Sequence, residues 1–152
     1  MNKIVLIVSL ALLTCGCAAQ MVEQDANDSC AGQGKKPFIF DAKQKGVPLL
    51  IESASALVLC VGPDDVTHLP ETFGADAVSA SNFSGAGIFA VSAGSVADKA
   101  AIKPGDIVNE FAGKPIANAR ELRSYIDRVS PGEQSILKLR RNGKDIVVTA
   151  QF

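Results

Sequence analysis

The chain has 152 residues, of which 47% are hydrophobic, enough for one modest core but too few for a second sizeable domain. Its 15 basic and 16 acidic residues nearly cancel and form no Lys/Arg block, so neither nucleic acid nor an acidic surface is favoured as a partner. Any function must therefore fit on one small scaffold.

The N-terminal residues predict an export signal. Met1-Asn2-Lys3 is a short positive region, and the apolar run Ile4 to Leu13 follows it. As a helix this run would rise about 15 Å, half of the roughly 30 Å hydrocarbon core of a bilayer, so a permanent membrane span is disfavoured. Residues 1–16 are therefore predicted to be a signal peptide that is removed.

The end of this signal resembles the lipobox of bacterial lipoproteins, in which a cysteine becomes the acylated first residue. Cys17 is the predicted lipidation site, although Thr14 stands where lipoboxes usually carry Leu. Two alternatives stay open: Cys15, which has Leu12 three residues before it, and ordinary cleavage after Ala19. Either way the chain is predicted in the bacterial cell envelope. The acylated form would be anchored on the periplasmic side of the outer membrane, and the cleaved form would be soluble in the periplasm.

The remaining cysteines predict a disulfide. Losing Cys15 with the signal and acylating Cys17 leaves Cys30 and Cys60 as an even pair in an oxidising compartment. A bond between these two is expected, with two unpaired thiols as the alternative.

The next segments change character at Pro37. Residues 17–36 are small and polar without periodicity, which is typical of a flexible tether between a membrane anchor and a folded body. Residues 37–83 are predicted to be a strand-rich extension that contributes in part to the main sheet. Its short apolar runs predict two or three strands: Phe38 to Phe40, Val47 to Glu52, and Ala56 to Val61. Pro63 to Ala80 is rich in turn-forming residues and is predicted to be a connecting segment without strands of its own.

From Gly87 onward, turn-forming and capping residues separate the apolar runs at regular intervals, and this pattern predicts an α+β fold. The expected elements are strand Gly87 to Ser92, helix Ser95 to Ala101, strand Asp106 to Phe111, helix Ala119 to Val129, and strands Ser135 to Arg140 and Lys144 to Phe152. Ser95 and Asn118, each followed three residues later by an acidic side chain, are typical N-caps. Asn142-Gly143 predicts a type I′ hairpin turn.

Several motifs in this half together resemble the PDZ domains of bacterial HtrA-type proteases. They are Gly85-Ala86-Gly87-Ile88, Ser95 to Val108 with its Lys103-Pro104-Gly105-Asp106 turn, Gly113-Lys114-Pro115-Ile116, Arg120-Glu121-Leu122-Arg123, and Leu139 to Lys144. The resemblance implies that residues 84–152 form a PDZ domain, a partly open β-barrel or sandwich of five to six strands capped by two helices.

The resemblance also implies a peptide-binding groove. In the family, an extended peptide adds as a strand between a sheet edge and the second helix, and backbone amides of a Gly-rich loop hold its carboxylate. By this resemblance, Ser84 to Ile88 is the expected carboxylate-binding loop, and Ile88 to Ser92 is the expected strand whose edge accepts the peptide. The residues predicted to bind the peptide are Ser84, Gly85, Ala86, Gly87, Ile88, Phe89, Ala90, Ala119, Arg123 and Ile126. Two alternatives stay open: Gly85 and Gly87 forming only a tight turn, and Arg123 facing solvent.

Two departures from the family pattern bear on this groove. Ala101 stands where the family often has Gly, and the glycine loop lacks the bulky apolar residue often found beside it. Both leave the affinity for any ligand open.

Enzyme chemistry is not predicted. His68 is the single histidine of the chain, and it lies in a turn-rich segment without a Gly-x-Ser-x-Gly or His-Glu-x-x-His motif. Neither a catalytic triad nor a metal site is predicted, and no cofactor motif is present. The expected function is a non-enzymatic module that binds the C-terminus or an extended segment of an envelope protein. The alternative is a structural component of an envelope or secretion assembly that docks on a folded partner.

Overall fold

The computed structural model describes residues 27–47, 50–81 and 83–152, with side chains outside 41–57. These residues form a two-stranded and a seven-stranded antiparallel sheet. Across these ranges no helix combines the length and the apolar character needed to cross a bilayer. The predicted signal peptide, the first part of the tether and Cys17 lie outside the described residues.

Short strands make up most of the regular structure in the described ranges. The strands are β1 Lys36–Val47, β2 Leu50–Val61, β3 Val66–His68, β4 Ala75–Val78, β5 Ala86–Val91, β6 Ile107–Phe111, β7 Lys114–Pro115, β8 Gln134–Arg141 and β9 Lys144–Gln151; the α-helices are α1 Val96–Lys99 and α2 Ala119–Ile126, and a 3-10 turn spans Pro63–Asp65.

The N-terminal extension is one hairpin of β1 and β2, each 12 residues long. The run from Val47 to Glu52, predicted to be one strand, instead contains the end of β1 and the start of β2. Cys30 is disulfide-bonded to Cys60, as predicted. Residues 27–31 are helical, so this part of the predicted flexible tether has regular structure.

The prediction that residues 63–80 only connect is wrong, because two strands of the main sheet lie within them. β3 and β4 pair with each other, and β4 pairs with β5. The sequence does not reveal β3, because its three residues lie between the Pro63–Asp65 turn and Pro70. Three residues are too few to show the alternation of apolar and polar side chains that identifies a strand.

The main sheet is open, and its order is β3-β4-β5-β6-β8-β9, with β7 pairing to β6. The α+β class, with two helices in residues 84–152, is therefore confirmed. Residues 84–152 supply five of the sheet's strands, β5 to β9, within the predicted range of five to six, and β3 and β4 are added from residues 63–80. Its two edges along this path are β3 and β9.

Both helices begin at the predicted caps. The side chain of Ser95 accepts from the backbone N–H of Asp98, and that of Asn118 accepts from Glu121 N–H. After α1 the chain turns through Ala101, which has a φ of 58°. Because a side chain is disfavoured in this left-handed conformation, the position explains why glycine is expected there.

The β8–β9 hairpin has the predicted alternation. Asn142 and Gly143 both have positive φ, as a type I′ turn requires. Leu137 and Leu139 are buried, whereas Ile136 is 54% exposed. One face of this hairpin therefore packs on the core and the other faces solvent.

The buried side chains form two clusters. The larger one lies between the sheet and the helices and includes Leu69, Phe73, Leu122 and Ile126. The smaller one joins the N-terminal hairpin to the main sheet through the buried residues Phe40, Val61, Val78 and Ile107. The extension is therefore packed onto the sheet, in addition to being held by its disulfide.

Candidate functional site

The predicted carboxylate-binding loop, Ser84 to Ile88, does not present its amides to a ligand. The N–H of Gly85 donates to the carbonyl of Ala117 (3.2 Å), and Ala86 and Gly87 pair with β6. At Gly85 φ is 119°, and a Cβ there would lie 2.6 Å from the carbonyl oxygen of Val108. This glycine permits a close crossing of two backbones, so a packing role accounts for it without an anion.

The predicted acceptor strand, β5, is interior to the sheet. Ile88 pairs with Ala77 of β4 on one side. On the other side its N–H donates to the carbonyl of Asp106 (2.8 Å), and its carbonyl accepts from Gly105 N–H (2.9 Å). Ala90 pairs with β4 as well, and Phe89 packs on Phe38 with ring centroids 4.8 Å apart. The prediction that Ile88 to Ser92 offers a free edge is wrong, because β4, unseen in the sequence, occupies it.

The helix residues predicted to line a groove separate into two groups. Ala119 and Ile126 are buried in the larger core cluster. The side chain of Arg123 is half exposed, with its Nε 3.8 Å from an oxygen of Asp127. Arg123 thus has the solvent-facing position that was the alternative for it.

Sheet order and helix packing bring a different set of elements together. The edge strand β3 pairs with β4 on one side, and α2 lies against β3. The N-terminus of α2 is held to the chain after β4, because Ala119 N–H donates to the hydroxyl of Ser79 (2.9 Å). We call the surroundings of β3, formed by β4, residues 70–74 and α2, the edge site.

The loop of the edge site directs two backbone amides at one point. The N–H groups of Phe73 and Gly74 both donate to the carbonyl oxygen of Pro70, each over 2.9 Å. Gly74 has a φ of 69°, and a Cβ there would overlap the Cβ of Ser95. Successive amides turned toward one acceptor form a concavity suited to an anionic oxygen. The signal that sequence reasoning missed is this aromatic-glycine pair directly before a strand.

An open cleft of about 290 Å³ lies beside this loop. Its lining includes His68, Glu71, Asp76 and Ala90, the last of which is among the predicted peptide-binding residues. Across β3 and β4, His68 Nδ1 lies 2.7 Å from an oxygen of Asp76, and the histidine side chain is 76% exposed. Within the described ranges, no three His, Cys, Asp or Glu side chains are placed to hold a metal.

A family model and similar known proteins agree on one family for this chain. A family model described as PDZ domain matches residues 64–151. The chain is 35% identical over 68 residues to a probable periplasmic serine endoprotease, DegP-like, of Hahella chejuensis. It is 44% identical over 64 residues to the periplasmic pH-dependent serine endoprotease DegQ of Escherichia coli. These matches cover 45% and 42% of this chain.

The curated relatives are much longer proteins. The matched part of this chain spans 14% of the length of each of the two. The matches lie in their PDZ regions and not in their protease domains. Among solved structures, the HtrA3 PDZ domain bound to a phage-derived ligand is 26% identical, with a TM-score of 0.40 over 45% of this chain and 62% of that one. Because the family model covers more than half of the residues and includes β3 to β9, the chain belongs to the PDZ domain family.

Proposed function

We propose that this protein is a non-enzymatic binding module of the bacterial envelope that captures the C-terminus or an extended segment of a partner protein. PDZ domains bind peptides by strand addition to a sheet edge, with backbone amides receiving the terminal carboxylate. The observation that carries the proposal is the pair of convergent amides at Phe73 and Gly74, close to the edge strand β3, which α2 contacts. The proposed site is therefore the edge site, and not the loop from Ser84 to Ile88.

A peptide display screen with free and amidated C-termini tests this function. Charge-assisted hydrogen bonds from two amides contribute about 1.5 to 3 kcal/mol each, so amidation should weaken binding by about tenfold or more. The measurement is fluorescence polarisation of each selected peptide with a free C-terminus. The same peptide with an amidated C-terminus is the matched control. Peptides that bind equally well in both forms would contradict carboxylate capture.

A second candidate function is a structural role in an envelope or secretion assembly, with the domain docked on a folded partner. The observation that favours it is the closed backbone edge of β5, since a module that takes up no free peptide needs no open strand. If no displayed peptide binds while a folded partner copurifies from the envelope, this function replaces peptide capture.

The envelope location and the lipid anchor on Cys17 are parts of the same proposal. They rest on the signal-like N-terminus and on the two relatives above, which are named as periplasmic. Cys17→Ser should release the protein from the membrane fraction and remove the mass of the acyl chains, because a serine cannot be acylated through a thioether. Cys15→Ser is the matched control and should stay acylated. An unchanged, unacylated product in both would exclude lipidation.

A further inference from the structure

We infer that the edge site is filled by a segment of its own chain, Val66–Leu69, which a partner's C-terminus of the same chemistry must displace. This inference rests on the proposed function, because it concerns what occupies the same site. Three observations carry it: the backbone pairing of the segment, the acceptor that uses the loop amides, and the burial of one side chain.

The backbone of this segment has the geometry of an added strand. Val66, Thr67 and His68 pair antiparallel with Val78, Ala77 and Asp76 of β4. The pairing extends one residue further, since Leu69 N–H donates to the carbonyl of Ala75 (3.0 Å). α2 also contacts β3, so this segment lies against both elements that would flank an added peptide.

The loop amides are also in use. Directly after Leu69, the carbonyl oxygen of Pro70 accepts from both Phe73 and Gly74. An incoming terminal carboxylate would need these two N–H groups. The chain therefore places a neutral carbonyl where a peptide would place its charged end.

The side chains of the segment indicate what a competing ligand must carry. Leu69 is 5% exposed and belongs to the larger core cluster together with Ile126 and Phe73. Strand alternation puts Thr67 on the same face as Leu69, whereas His68 points away and is exposed. A partner with an aliphatic C-terminal residue, and a small or β-branched residue two positions before it, reproduces this pattern.

Three features should allow this segment to exchange. β3 has only three residues, it lies at a sheet edge, and the segment ends before Pro70, which lacks an N–H. The pairing competes with a ligand whose carboxylate is a stronger acceptor than the Pro70 carbonyl. A ligand that ends in a carboxylate therefore binds the loop amides more strongly than the internal segment does. Such a difference in binding free energy is required for the ligand to displace the segment.

A reversible lock tests the inference. His68 and Asp76 are directly opposite on β3 and β4 and their side chains meet, a geometry suited to a cross-strand disulfide. In the full chain carrying His68→Cys and Asp76→Cys, oxidation should weaken binding about tenfold or more relative to the reduced form. The probe is a fluorescent peptide with the sequence of residues 64–69 and a free carboxylate.

A second variant, Thr67→Pro, removes a backbone donor from the β3–β4 ladder. It should bind the probe about tenfold more tightly than the wild type.

The control is the His68→Ser/Asp76→Ser double variant, assayed under both redox conditions. It separates the lock from loss of the His68–Asp76 contact and from reduction of the native disulfide, and thermal unfolding checks that each form is folded. Equal binding by locked and reduced forms would overturn the inference and leave peptide capture standing. If the carboxylate probe and the display library bind no form, including Thr67→Pro, both the inference and peptide capture fail.

Discussion

Replacing Asp106 by Ala should lower the free energy of unfolding by about 3 kcal/mol, at the low end of the range for breaking a buried ion pair. Asp106 is 1% exposed, and its two oxygens lie 2.6 Å from Nε and Nη2 of Arg141. One of them also accepts from Lys103 N–H (2.8 Å). The change therefore removes the carboxylate that accepts from the Arg141 guanidinium and from the Lys103 amide.

The same pair stabilises the turn that the Lys-Pro-Gly-Asp motif makes. The hydrogen bond to Asp106 raises the pKa of Arg141, and Arg141 Nη2 also donates to the carbonyl of Ala101 (2.7 Å). Since Ala101 has the unfavourable φ of 58°, this bond helps to hold it there. Part of the stability lost in Asp106→Ala should therefore come from weaker support of the turn at Ala101.

The measurement for Asp106→Ala is equilibrium unfolding in urea followed by circular dichroism. The matched control is Glu110→Ala, which breaks an exposed pair with Lys138 at 2.9 Å and should change stability by less than about 1 kcal/mol. If both variants lose the same small amount, the buried pair is not a main support of the fold.

Replacing Cys30 and Cys60 together by Ala should lower the free energy of unfolding by about 3 to 4 kcal/mol, the chain-entropy value for a loop of this size. The two cysteines are 30 residues apart in sequence, and the loop they close contains β1 and all of β2 up to Cys60. The hairpin is attached to the main sheet by a small cluster around Phe40 and Ile107. Without the disulfide, that cluster and the contact between Lys35 and Asp65 must hold it.

Urea unfolding of the double variant and of the wild type with and without reductant measures this effect. Reduction of the wild type is the control and should give the same loss as the substitutions, because both remove only the cross-link. Hydrogen exchange should show amides of β1 and β2 losing protection first. A loss under about 1 kcal/mol, with β1 and β2 still protected, would mean that packing alone holds the extension.

Local signals in the sequence were sufficient for the two helices of the PDZ half and for β5, β6, β8 and β9. Ser95 and Asn118 cap the two helices because their side-chain oxygens reach amides three residues away. Asn142 and Gly143 form the predicted turn because both can adopt positive φ. The pairing of Cys30 with Cys60 followed from counting cysteines in an oxidising compartment. Each of these inferences depends on interactions close in sequence or on a count.

The location of the candidate site was decided only by the tertiary structure. Gly85 and Gly87 have the same pattern whether glycines bind an anion or permit close packing, and only their neighbours, the Val108 carbonyl and the Phe40 ring, show the second role. Which strand forms the edge depends on β3 and β4 pairing across a sheet, a contact that composition does not reveal. The sequence by itself thus determined the PDZ half and its helices, whereas the structure shows that β4, and not β5, pairs with the edge strand β3. The physical reason is that strand order is set by long-range pairing, while caps and turns are set locally.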